Sequence, residues 1–173
     1  WLPREWRAGI RWLRWLPSLP LLQKLARGGR PPAWARNDPW LGRVVAVEPA
    51  LRAAALAATP LQPLRAVLEA KDRDATREWL AQWRAAWPDD AAAALALNRI
   101  ARDVADCDAA LREPTARDSR DPLRVLRQRL LRRFRRHPLS PGAATAFLLL
   151  EGLDLLALRG HVMRRAVIGP GPS

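Results

Sequence analysis

Asp89–Glu113, DDAAAALALNRIARDVADCDAALRE, is the stretch that decides the fold. Leu97, Ile100, Val104, Cys107 and Leu111 recur at steps of three and four, which sets them along one face of a helix. A strand would alternate with a period of two, and that alternation is missing. Asp89 or Asp90 offers a short acceptor side chain to cap the first turn. Asp103, Asp106 and Asp108 fall mostly outside the apolar seam and read as charges on a solvated face.

Outward from this helix, prolines punctuate the chain at helix starts, where a missing N–H costs nothing. Pro3 opens a helix to about Leu16, with Trp6, Ile10 and Leu13 on one face. A second runs from about Ser18 to Arg27 and stops at Gly28-Gly29. Arg30 to Asn37 reads as a loop and a hinge. Asp38-Pro39, Glu48-Pro49 and Thr59-Pro60 open short helices, and Asp74 caps another to Trp87. Pro114 to Asp121 reads as a charged loop. Asp121-Pro122 then opens a helix to about Arg136, with Leu123, Leu126, Leu130 and Phe134 inward. After a tight connection from His137 to Gly142, a last helix runs from about Ala143 to Val167. No segment carries hairpin chemistry.

Composition limits what such a chain can do. With 49% hydrophobic and 27% charged residues over 173 positions, it is globular rather than disordered. Thirty basic residues against 17 acidic ones give a formal charge of +13, nearly all of it arginine. That excess predicts attraction to nucleic acid, anionic lipid or an acidic protein surface. A GC-rich coding sequence would raise Arg, Ala, Pro and Trp together, which accounts for part of it. Cys107 is the single cysteine, so neither an intrachain disulfide nor a thiolate metal cluster is expected. Trp1 opens the chain and the single methionine is Met163, so the true start is expected to lie elsewhere; no signal peptide is visible. Ala143 to Leu158 is apolar but interrupted by Glu151 and Asp154, and reads as too short and too charged to cross a bilayer.

Catalytic patterns are missing. His137 and His161 lack partners at triad or ligand spacing, and neither phosphate-loop nor dinucleotide glycines occur. The chain therefore reads as a non-enzyme without cofactor, metal or small-molecule substrate. Arg4, Arg7, Arg11 and Arg14 form a basic stripe flanked by Trp12 and Trp15, either a core helix with wet arginines or a membrane-surface helix. Trp79, Trp83 and Trp87 recur every fourth residue, as a packed seam does. Arg124, Arg127, Arg129, Arg132, Arg133, Arg135 and Arg136 crowd one helix and read as spread around its circumference. That distribution disfavours nucleic acid, which asks for one edge.

From Pro122 onward, the order of features resembles the carboxyl-terminal part of the C/d-subunit family of V-type (archaeal and bacterial A/V-type) ATPases. The residues that carry the resemblance are a basic helix, the connection His137-Pro138-Leu139-Ser140-Pro141-Gly142, and the opening Ala146-Phe147-Leu148. The acids Glu151 and Asp154, the pair Leu158-Arg159, and the closing Arg164 and Arg165 complete it. Phe147 stands where the family carries an aromatic hydroxyl, Ala157 where asparagine is common, and Gly152 interrupts the acids. The tryptophan-rich half does not take part in the resemblance.

The expectation is an all-α bundle of antiparallel helices, with room for two lobes sharing a core. Its parts are a Trp/Arg-rich hairpin (1–30), a helical lobe (38–113), a carboxyl-terminal helix pair (121–168) and a disordered tail (169–173). The resemblance implies a non-catalytic central-stalk connector that couples the shaft of a rotary ATPase to its membrane rotor ring for ion transport. It would be cytoplasmic and peripheral to the inner (plasma) membrane through protein partners, with Glu151, Asp154, Arg159, Arg164 and Arg165 at the interface. The alternative is a basic helical module for nucleic acid or an anionic membrane surface.

Overall fold

The computed structural model describes residues 3–70, 72–113, 121–136 and 138–168, with side chains followed as far as residue 158. Every regular element among the described residues is a helix. The chain forms two compact units, Trp1–Pro88 and Asp89–Ser173. This division differs from the expected one. The amino-terminal hairpin packs with the segment that follows it, and the long helix after Asp90 packs with the carboxyl-terminal pair.

The first unit is built from short helices: α1 (Arg7–Leu13), α2 (Leu19–Ala26), α3 (Leu41–Val45), α4 (Arg52–Ala57), α5 (Arg65–Glu69) and α6 (Ala75–Ala85). Single 3-10 turns lead into most of them, and proline at the first positions recurs in those turns. Helices this short do not hold alone in water, because nucleation costs more than a few hydrogen bonds return. Packing holds them: α2 lies against α5 and α6, α1 against α6, and α3 to α5 pack in sequence. Leu22, Val44, Leu56, Leu61, Leu64, Val67, Trp79 and Trp83 are buried between them.

Local chemistry explains the boundaries. The Asp38 carboxylate accepts from the N–H groups of Trp40 and Leu41, starting α3. Asp74 does the same for Thr76 and Arg77, starting α6. Gln23 adds a tie from α2, accepting from Ala75 N–H at 2.8 Å and donating to the Arg73 carbonyl at 3.2 Å. Helix α2 ends on Gly28 at φ 76°, a left-handed conformation that glycine adopts without a Cβ clash, and Gly29 N–H closes back on the Lys24 carbonyl. The expected hinge at Arg30–Asn37 is instead a 3-10 turn, Ala33–Asn37, anchored by the fully buried Ala35 and packed on α3.

The second unit is a three-helix bundle: α7 (Ala91–Arg112), α8 (Pro122–Arg136) and α9 (Pro141–Ile168). Asp90, not Asp89, caps α7 through Ala92 and Ala93 N–H. Phe134 meets Phe147 while Arg127 meets Asp154, so α8 and α9 run antiparallel. Arg133 reaches Asp103 while the Cys107 thiol reaches the Pro122 carbonyl, so α7 and α8 also run antiparallel.

Four side chains depart from the expected core. Leu111, Leu123 and Phe134 are exposed, while Asp103, read as a surface charge, is buried. The window Pro141–Leu158 is long and apolar enough, by length and composition, to cross a membrane, with a third of it buried in the protein. The expectation that it is too short is corrected to that extent. The segment 114–120, His137 and the tail 169–173 lie outside the described residues.

Candidate functional site

Tryptophan chemistry in the first unit serves packing. Trp12 donates its indole N–H to the Trp79 carbonyl at 3.1 Å, and Trp79 returns the bond to the Trp12 carbonyl at 3.3 Å. The Trp79 and Trp83 rings stack at 5.5 Å, and Trp87 meets Trp83 edge-on at 5.0 Å. With Trp79 and Trp83 sealed in the core, their faces are closed to stacking bases. Arg4, Arg7, Arg11 and Arg14 stay in water, with the Arg14 guanidinium 4.3 Å from the ring centre of buried Trp15. The stripe is the wet side of a packed amphipathic helix.

In the second unit the arginines of α8 divide by face. Arg129, Arg132, Arg133 and Arg136 lie at i, i+3, i+4 and i+7, one helical edge turned toward α7. Arg124, Arg127 and Arg135 are exposed on the other faces of α8, so the helix carries charge around most of its circumference, as expected. With Arg99 of α7 and Ser140–Ala143 at the start of α9, the four arginines turned toward α7 line a groove of about 840 Å³. Its floor is apolar and small, from Ala92, Ala93, Ala96 and Ile100. Gly142 lets the start of α9 come close, since a Cβ there would sit 3.1 Å from the Ala96 methyl.

Asp103 organises this edge. Its side chain is 7% exposed, and it accepts from Arg133 Nε at 2.5 Å and from Arg129 Nη1 at 3.4 Å. Arg129 also reaches Asp106 at 3.0 Å, and Arg133 reaches the Arg99 carbonyl at 3.5 Å. Two guanidiniums are thereby fixed by a buried carboxylate. Arg99, Arg132 and Arg136 form no ion pair among the described residues and leave their N–H groups to solvent. Asp90 is committed to the α7 cap, and Ala143 N–H is taken by the Ser140 hydroxyl. The surplus positive charge therefore comes from side chains rather than helix ends.

The residues expected at the interface are not gathered in this groove. Glu151 stands exposed. Asp154 is exposed too, and accepts from Arg127 Nε and Nη2, both at 3.3 Å. It thus joins α9 to α8. Arg159, Arg164 and Arg165 belong to α9, with side chains outside the described residues. Sequence reading missed Asp103 and the groove-facing arginines, although the i, i+3, i+4, i+7 spacing was there to be found.

Cys107 is buried against α8. Removal from water, with the charges of Asp108 and Asp121 adding to it, pushes its thiol from 9.0 up to about 11. It is a core side chain rather than a nucleophile at neutral pH. Among the described residues, no three His, Cys, Asp or Glu side chains converge as a metal site requires. Set beside known protein families, curated proteins and solved structures, the chain matches none of them.

Proposed function

We propose that this chain is a non-catalytic central-stalk connector of a rotary V-type ATPase, coupling the shaft to the membrane rotor ring. The observation that carries the reading is the carboxyl-terminal order of a basic helix, a Pro/Gly connection and a last helix with two acids and a Leu-Arg pair. The packing of these residues supports it. Helices α8 and α9 form an antiparallel pair joined by Arg127–Asp154 and Phe134–Phe147. Phe147, Leu148, Leu155, Leu156 and Leu158 leave apolar surface on α9 exposed, as protein-docking helices do.

Torque transfer makes and breaks no covalent bond; it asks for stiff helices and surfaces that hold neighbours. On this reading Glu151, Asp154, Arg159, Arg164 and Arg165 meet adjoining subunits, and the chain is peripheral to the plasma membrane on its cytoplasmic side. Leu155→Asp with Leu156→Asp tests the role of the last helix. Both side chains are exposed, so helical circular dichroism should persist while recovery with rotary ATPase subunits falls at least tenfold. Unchanged recovery would contradict the reading.

A basic module for nucleic acid or an anionic membrane is the second reading, favoured by the four arginines that α8 turns toward α7. Tight duplex binding at physiological salt, weakening steeply as salt rises, would support it over the connector.

A further inference from the structure

We infer that the arginine groove of the second unit binds an organic polyphosphate, a small anion of nucleotide size with an apolar body. The inference is independent of the connector reading. Size comes first: a volume of about 840 Å³ falls in the range of roughly 300–1,000 Å³ typical of small-molecule sites. Charge comes next. Five guanidiniums line the groove against the carboxylates of Asp90 and Asp103, leaving a surplus of three positive charges.

A single carboxylate would satisfy only one of the three unpaired forks of Arg99, Arg132 and Arg136. A phosphate chain presents acceptor oxygens along its length, and the guanidinium fork matches phosphate geometry. Arg132 and Arg136 stand one helical turn apart, with Arg99 on the neighbouring helix. Asp103 already holds Arg129 and Arg133, so binding orders fewer side chains than an unbraced cluster would. The floor of Ala92, Ala96 and Ile100 offers nothing to a phosphate, but it gives a flat or apolar group a dry surface. An extended duplex would need a long continuous edge, whereas this groove is lined by short stretches of three helices.

Isothermal titration of the full chain at physiological salt, with ATP, inorganic tripolyphosphate and a short DNA duplex as probes, tests the inference. ATP should bind saturably at one site per chain, and more tightly than tripolyphosphate, which lacks the apolar body. Arg132→Ala with Arg136→Ala should weaken ATP by at least about tenfold. Arg4→Ala with Arg7→Ala, which removes the same charge from the other unit, should leave it unchanged. Both variants alter exposed side chains, and unchanged helical circular dichroism verifies their fold. Absence of saturable ATP binding, equal loss in the two variants, tripolyphosphate binding as tightly as ATP, or preference for the duplex would each overturn the proposal.

Discussion

Asp103 is the residue on which the second unit turns, and its role follows from burial. A carboxylate removed from water needs partners, and Arg129 and Arg133 supply them from the facing helix. Asp103→Asn keeps the shape and removes the charge, so it should lower stability by about 2 kcal/mol in urea unfolding. Asp106, exposed and sharing only Arg129, should lose less than about 1 kcal/mol on the same change. Equal losses would refute the assignment. Cys107 makes a second prediction. Its folded thiol is held protonated to about pH 11, above the ordinary 9.0. The neutral thiol's contribution is therefore complete below pH 9 and is lost as the pH rises through 11. Between those limits the urea midpoint of the native chain should fall more steeply with pH than that of Cys107→Ala. Parallel pH profiles would contradict it. The caps Asp74 and Asp90 are legible in the sequence because capping is local, involving a side chain and amides two or three residues on. Asp103 is not, because its partners lie on another helix and arrive only by folding.

At the scale of elements, the prolines announce where helices begin but not what kind of turn each starts. Pro49–Leu51 and Gln62–Leu64 are 3-10 turns that pass into α4 and α5, in place of the continuous helices that the prolines alone predict. Periodicity places most of the apolar faces of α7 and α8 correctly, but misplaces Asp103 at the centre of α7 and fails at the ends. Leu111 and Leu123 fit the pattern but flank the α7–α8 connection, and neither is covered. The groove edge of α8 is obscured in the sequence because Arg124, Arg127 and Arg135 occupy other faces of the same helix. Only the position of α7 shows which four arginines act together. The α8–α9 connection carries one conformational cost: Leu139 is 91% exposed with φ at 65°, a left-handed conformation unfavourable for a side chain with a Cβ. Leu139→Gly removes that clash and should raise the thermal midpoint, with a gain of about 0.5–1 kcal/mol. A lower midpoint would show that the leucine side chain contributes more than its exposure suggests.

For the whole molecule, the all-α architecture is readable because helical periodicity, capping and proline placement agree along the chain. The division after Pro88 is not, since composition changes little there and only packing assigns α7 to the carboxyl-terminal helices. All nine tryptophans fall before that division, while both phenylalanines fall after it. The two units thus carry different work: a tryptophan-sealed core in the first, exposed apolar and arginine-rich surfaces in the second. The connector proposal depends on those surfaces meeting the shaft and the rotor ring. Native mass spectrometry of the tagged chain, purified gently from the cells that make it, tests it most directly. A central-stalk connector should be recovered in a complex whose mass contains rotary ATPase shaft and ring subunits at fixed stoichiometry. A chain recovered alone, or with nucleic acid and no ATPase component, would contradict it.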